Sequence, residues 1–206
     1  MTTSVELSTF PRFKWIHRES PGAFSERRWE SLATELACSP LLARVLFARG
    51  IENAQDATKF LKPERKHIFP PESIPGNEKA TDRILRAIAD DEGILVHGDY
   101  DVDGIVGAVI LHKTLKELGA QSGIFLPKRD FHGFGLSPSS VEIAKANGVK
   151  LIVSVDCGIS SHETVQMAHD AGIEVIVTDH HAITNDPPGD TIIVHPELDG
   201  DYPGGK

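Results

Sequence analysis

The sequence predicts an α/β protein: a parallel sheet with helices on both faces, preceded by a small, mainly helical N-terminal lobe. Three observations predict it. From about Lys79 onward, short β-branched apolar runs alternate with amphipathic segments of helical length. Those runs are continuously apolar, as strands buried on both faces are. Residues 1–78 lack them and carry prolines at 11, 21, 40, 63, 70, 71 and 75. The expected division is a helical lobe and linker over 1–78 and an α/β domain over 79–206.

In the lobe, Pro40 to Arg49 reads as a helix stopped by Gly50, and Asn53 to Leu61 as a second that ends before Pro63. Pro70 to Gly76 reads as an extended connection. Beyond it, Thr81–Ala89 has the apolar spacing of a helix, and Ile94–Val96 is a strand. Gly107–Leu118 follows as a helix with Gly119 as its stop, then Gly123–Leu126 as a strand. Ser137-Pro138 supplies an N-cap and a first-turn proline for a helix ending at Asn147-Gly148. A strand at Leu151–Val155, a helix at Ser161–Ala171 and strands at Val175–Val177 and Thr191–Val194 complete the series.

With 206 residues the chain is long enough for a full domain plus a smaller lobe. Cys38 and Cys157 lie far apart without Cys-x-x-Cys spacing, which excludes a disulfide framework or a cysteine zinc site. No run approaches the roughly 20 apolar residues of a membrane span, and the polar first ten residues do not resemble a signal peptide. A soluble, cytoplasmic protein without a membrane partner is expected. The net charge of −9 argues against coating nucleic acid through a broad basic face. It leaves open an enzyme acting on nucleic acid, because cations held by carboxylates reduce the local negative field.

Ligands of open parallel sheets bind beyond the carboxyl ends of the strands. There the strand at Ile94 runs into His97-Gly98-Asp99-Tyr100-Asp101-Val102-Asp103-Gly104. The strand at Leu151 ends in Asp156-Cys157-Gly158, that at Val175 in Asp179-His180-His181, and that at Thr191 in His195-Pro196. Taken singly, an Asp after a strand is often just a helix N-cap, and a His pair is often just a loop. Together they read differently, because alternating carboxylates without a neighbouring Lys or Arg repel unless cations hold them. An EF-hand is excluded: the twelfth position from Asp99, which wants Glu, is Ile110. The mixed oxygen and imidazole donors suit Mn²⁺, with Mg²⁺ at the oxygen-rich side. For two cations about 3.5–4 Å apart, Asp156 is placed to bridge, between the aspartate triplet and His180. His181 either ligates a metal or meets the phosphate from behind the ligands. Cys157 reads as a small buried thiol. The loop from Pro127 to Leu136 reads either as an ordinary solvated βα-loop or as a phosphate-binding one through Lys128, Arg129 and His132, the latter favoured because it is the basic cluster next to the predicted site.

The strings Asp99-x-Asp101-x-Asp103-Gly104, Asp156-Cys157-Gly158 and Asp179-His180-His181 resemble successive motifs of the DHH phosphoesterase superfamily. Three features look like its bacterial branch of single-strand-specific 5′→3′ DNA exonucleases. They are the full His97–Gly104 string, the Pro127-x-Arg129 to Gly133-Phe134-Gly135-Leu136 loop, and the lobe's Leu46–Gly50 and Phe60-Leu61-x-Pro63. The resemblance implies a two-metal (Mn²⁺ or Mg²⁺) exonuclease of DNA repair and recombination. Asp99, Asp101, Asp103, Asp156 and His180 would be its metal positions, and Asp156 and His181 its catalytic ones. It also implies single-stranded DNA as substrate, a single-stranded-DNA-binding protein as partner, and a monomer at full length. The chain departs from the branch at His195-Pro196, where Asn-Pro is usual, and at Phe134, where Tyr is common. By the same comparison a further Asp ligand and the nucleic-acid-binding domains are expected beyond Lys206, and these residues alone are expected to have little activity. The rivals are a DHH phosphodiesterase of short oligonucleotides or cyclic dinucleotides, and a non-catalytic replication scaffold.

Overall fold

The computed structural model describes residues 28–128, 135–198 and 202–203. The chain divides into two compact units between Ile68 and Phe69. In the first, helices α1 (Arg28–Glu35), α2 (Pro40–Ala48) and α3 (Ala54–Leu61) bury Leu32, Ala43, Leu46 and Ala57 in a small core. Ser39 caps α2 by accepting from the Leu42 N–H, and Asn53 caps α3 by accepting from Asp56 N–H. The helix α1 was not expected, although Trp29, Leu32, Ala33 and Leu36 carry its apolar stripe.

The second unit runs α4 (Asn77–Ala89), β1 (Ile94–Gly98), α5 (Val102–Glu117), β2 (Ser122–Phe125), α6 (Pro138–Ala146), β3 (Leu151–Val155), α7 (His162–Asp170), β4 (Glu174–Thr178) and β5 (Ile192–Val194). All strand pairs are parallel, in the order β2-β1-β3-β4-β5. Side chains alternate across the sheet. Ile94, Val96, Leu151, Val153 and Ile176 join α4 and α5 in one core, whereas Leu95, Ile152, Val175 and Val177 join α6 and α7 in the other. This is why the strands read as unbroken apolar runs. Each such buried aliphatic side chain contributes about 1.5–3 kcal/mol.

Residues 70–76 are part of the second unit, upstream of the expected boundary at 78/79. Pro71–Ser73 forms a single 3₁₀ turn, and Pro75 O accepts from the His195 N–H at 3.3 Å. Gly76, at φ +81°, caps α4, and a Cβ there would overlap the Ile193 carbonyl oxygen. The helix therefore starts at Asn77, ahead of the expected Thr81.

α5 also starts earlier than expected, at Val102 where Gly107 was predicted. Asp101 is its N-cap, accepting from Gly104 N–H at 3.3 Å. The intervening glycines serve close packing: a Cβ on Gly104 would lie 2.6 Å from Asp99 N, and one on Gly107 would lie 2.7 Å from Val155 Cγ1. In this sheet the crossover from β1 leads outward to β2, and the next returns past it to β3. The crevice beyond the ends of β1 and β3 is thus the switch point at which ligands bind in such sheets.

Candidate metal centre

The strand ends β1, β3 and β4 deliver the predicted residues to that crevice. Asp99 follows β1 and is buried, its N–H donating to Val155 O at 3.1 Å. Asp156 follows β3 with φ +64°, left-handed backbone that Asp tolerates better than most residues. Its N–H is held by Thr178 O at 2.9 Å, so the turn is fixed by β4.

Two groups of ligand atoms form, each with all its atoms within 4.8 Å of one another: Asp99, Asp101 and Asp156, and Asp156, His180 and His181. Asp156 is shared. Asp103 belongs to neither group and lies on the first turn of α5, 3.9 Å from His180 Nε2. Lys128 is exposed after β2 and is in neither group, and Arg129 and His132 lie outside the described residues.

The electrostatics point to a cation. Asp99 Oδ1 and Asp156 Oδ2 are buried without a hydrogen-bond partner, a costly state for a carboxylate oxygen. Burial raises the Asp156 pKa, and repulsion from Asp103 adds to it, while His180, 2.8 Å away through Nε2, opposes. A bound divalent cation would satisfy both orphaned oxygens, so the donor set present fits one.

Asp179 was not among the predicted site residues, and it organises the histidines. Oδ1 accepts from the N–H groups of His180 (2.7 Å) and His181 (3.0 Å) and pairs with His181 Nδ1 at 2.7 Å, while Oδ2 accepts from the Ile159 N–H at 2.9 Å. Burial pushes its pKa up, but these donors outweigh it and the net shift is down. The hydrogen bond that His181 donates to Asp179 raises the His181 pKa in turn. With Nδ1 donating to Asp179, His181 presents Nε2 to the crevice. The signal that could have found Asp179 is its place as first residue after β4, where a side chain reaches the N–H groups of the next turn.

His195, a departure from the exonuclease branch, is buried and belongs to neither group. Its Nδ1 accepts from Glu197 N–H at 3.1 Å, so Nε2 carries the proton and donates to His181 O at 2.8 Å. It supports the backbone of the histidine pair. Cys157 is buried as expected. Desolvation first, then the carboxylates of Asp99, Asp179 and Asp156, hold its thiol protonated.

A profile of the DHH family, N-terminal domain, matches residues 93–201. The chain belongs to the DHH family, and the matched span contains all the ligand atoms just described. Within it the similarity runs to RecJ. The chain is 35% identical over 186 residues to the single-stranded-DNA-specific exonuclease RecJ of Bacillus subtilis, covering 85% of this chain and 24% of that protein. To RecJ of Escherichia coli it is 39% identical over 165 residues, covering 77% and 27%. The crystal structure of RecJ in complex with Mn²⁺ from Thermus thermophilus superposes with a TM-score of 0.60 at 30% identity, over 86% of this chain and 24% of that one. The chain thus spans about a quarter of the length of the curated relatives it matches. No described helix is long and apolar enough to cross a membrane.

Proposed function

We propose that this chain forms the cation-binding part of a phosphodiesterase that removes nucleotides from the 5′ end of single-stranded DNA, in repair and recombination. The observation that carries the reading is Asp156, whose carboxylate is common to both ligand groups and keeps one oxygen buried and unpaired. A carboxylate so placed suits two divalent ions, Mn²⁺ or Mg²⁺, held by Asp99, Asp101 and Asp156 on one side and by Asp156, His180 and His181 on the other. Asp103, 3.9 Å from His180 Nε2, stands beside the second group without belonging to it. Such ions supply a hydroxide nucleophile and neutralise the charge that develops on phosphate.

The chain's own residues do the rest. Asp179 orients His181, so that Nε2 is left for a cation or a phosphate oxygen. His195 donates to the His181 carbonyl and so fixes the backbone of the pair. Cys157 stays protonated and takes no covalent part. Lys128, with Arg129 and His132, would neutralise substrate phosphates from the loop after β2. A strand of DNA, a single-stranded-DNA-binding protein as partner, and a monomer at full length belong to the same reading, which the similarity to RecJ supports.

The test is hydrolysis of 5′-labelled single-stranded DNA by the full-length protein, with Mn²⁺, with EDTA, and with Asp156→Ala. Mononucleotide release lost in both of the latter cases is the expected result. Release that persists in either places the reaction elsewhere. Turnover of dinucleotides or cyclic dinucleotides without turnover of long DNA moves the substrate to the short-oligonucleotide class.

A further inference from the structure

β3 reads Leu151-Ile152-Val153-Ser154-Val155, and Ser154 is the polar residue in it, completely buried. It alternates with Val153 and so shares a face with Ile152, in the core built with α6 and α7. A hydroxyl among aliphatic side chains is unfavourable unless it is hydrogen-bonded, and here the bond reaches forward into the turn that carries Asp156. Ser154 Oγ donates to the Cys157 carbonyl at 2.7 Å; the Ile176 carbonyl, at 3.4 Å, is the more distant acceptor.

The Cys157 carbonyl belongs to the peptide that joins Cys157 to Gly158. On either side of Cys157 the backbone takes a positive φ, +64° at Asp156 and +117° at Gly158. Such backbone at a residue other than glycine persists where its surroundings hold it. The turn also sits directly on the hydroxyl: a Cβ on Gly158 would lie 3.0 Å from Ser154 Oγ and 3.2 Å from Val177 Cγ2. From β4, Thr178 Oγ1 donates to the Ser154 carbonyl at 2.6 Å, and the Thr178 carbonyl accepts from the Asp156 N–H at 2.9 Å. Asp156 is thus held on its amino side by β4 and on its carboxyl side by the Ser154 hydroxyl.

We propose that Ser154 is a positioning residue for Asp156: its hydroxyl pins the turn after β3 and so sets where the carboxylate shared by both ligand groups stands. The inference rests on the cation reading for what Asp156 holds, but not for the hydrogen bond itself. Because Asp156 is common to the two groups, one buried hydroxyl acts on both at once.

Ser140 of α6 supplies the control. It is completely buried, its hydroxyl donates to the Ser137 carbonyl at 2.6 Å, and it is in neither ligand group. In the full-length protein Ser154→Ala should weaken Mn²⁺ binding, measured by calorimetry, about tenfold, the effect of one lost hydrogen bond. Ser140→Ala removes a comparable bond and should leave that affinity within about twofold of the unaltered protein. Thr and Val suit a strand equally and differ in the hydroxyl. Ser154→Thr should therefore bind Mn²⁺ within about twofold of the unaltered protein, and Ser154→Val about tenfold more weakly. This pair decides the matter alone if Ser154→Ala does not fold. Unchanged affinity in Ser154→Ala overturns the proposal, as does an equal loss in Ser140→Ala, or equal affinity in the Thr and Val variants. If the unaltered protein binds no Mn²⁺, the cation reading fails and takes the proposal with it. Equally tight binding by the unaltered protein and Ser154→Ala would sink the positioning role and leave the cation reading standing.

Discussion

At Asp156 a single carboxylate is asked to sit in left-handed backbone, lose most of its solvent and face other acids. Without a cation that is unfavourable. A carboxyl whose folded pKa is raised takes up protons on folding, so stability falls as the pH rises through its titration range. Asp156→Asn keeps the shape and suits the left-handed backbone while removing the charge. The variant should melt higher than the unaltered chain in EDTA and lose the rise that Mn²⁺ brings. For the unaltered chain that rise is about 2.7 kcal/mol at a hundredfold excess of Mn²⁺ over Kd. Calorimetric melts with and without the ion measure both. Asp179 has the opposite sign. Its folded pKa is depressed, so its contribution is present above the unfolded value and is lost as the pH falls through the folded one. Asp179→Asn should therefore be less stable than the parent at neutral pH, with the gap closing below about pH 4 in denaturant titrations.

At the scale of the element, the start of α5 decides whether the aspartates meet. Gly104 lets the first turn lie directly over the Asp99 backbone, where a Cβ would come within 2.7 Å of Asp99 Cα and Cβ. Gly104→Ala should cost about 1–3 kcal/mol in stability and weaken Mn²⁺ binding, since the displaced group is the ligand-bearing one. A variant with normal Mn²⁺ affinity would show that the close approach is not needed. This helix start was also where the sequence was hardest to read. Asp99-x-Asp101-x-Asp103-Gly104 has the look of a turn, and only the Asp101 side chain, bonded to Gly104 N–H, reveals it as a cap. The strands were legible because burial on both faces leaves only apolar residues in them. The candidate ligand strings were legible because each follows a strand directly, and the structure brings Asp99, Asp101, Asp156, His180 and His181 together at the strand ends. Asp179 and His195 were not, since their roles lie in hydrogen bonds to backbone that the chain makes only after the loops have closed.

Over the whole molecule, every ligand atom belongs to the unit that starts at Phe69. That unit carries its own tie at the amino ends of the strands, where buried Arg83 of α4 pairs with Glu92, just before β1, at 2.8 Å and with Glu174, the first residue of β4, at 2.9 Å. Residues 69–206 alone should bind Mn²⁺ within about twofold of the full 206-residue chain. Calorimetry on the two proteins decides it, and a large loss would assign the first unit a share in the site. The strand order has a further consequence in time. During synthesis β1 and β2 are the first strands of the sheet to emerge and can pair, but β1 keeps its other edge open until β3 arrives beside it. Because Asp156 follows β3 and is common to both ligand groups, a nascent chain that stops short of it has no complete group. Cation affinity then marks the moment at which the late strand docks, and a lengthening series of stalled chains would show it switching on between β3 and His181.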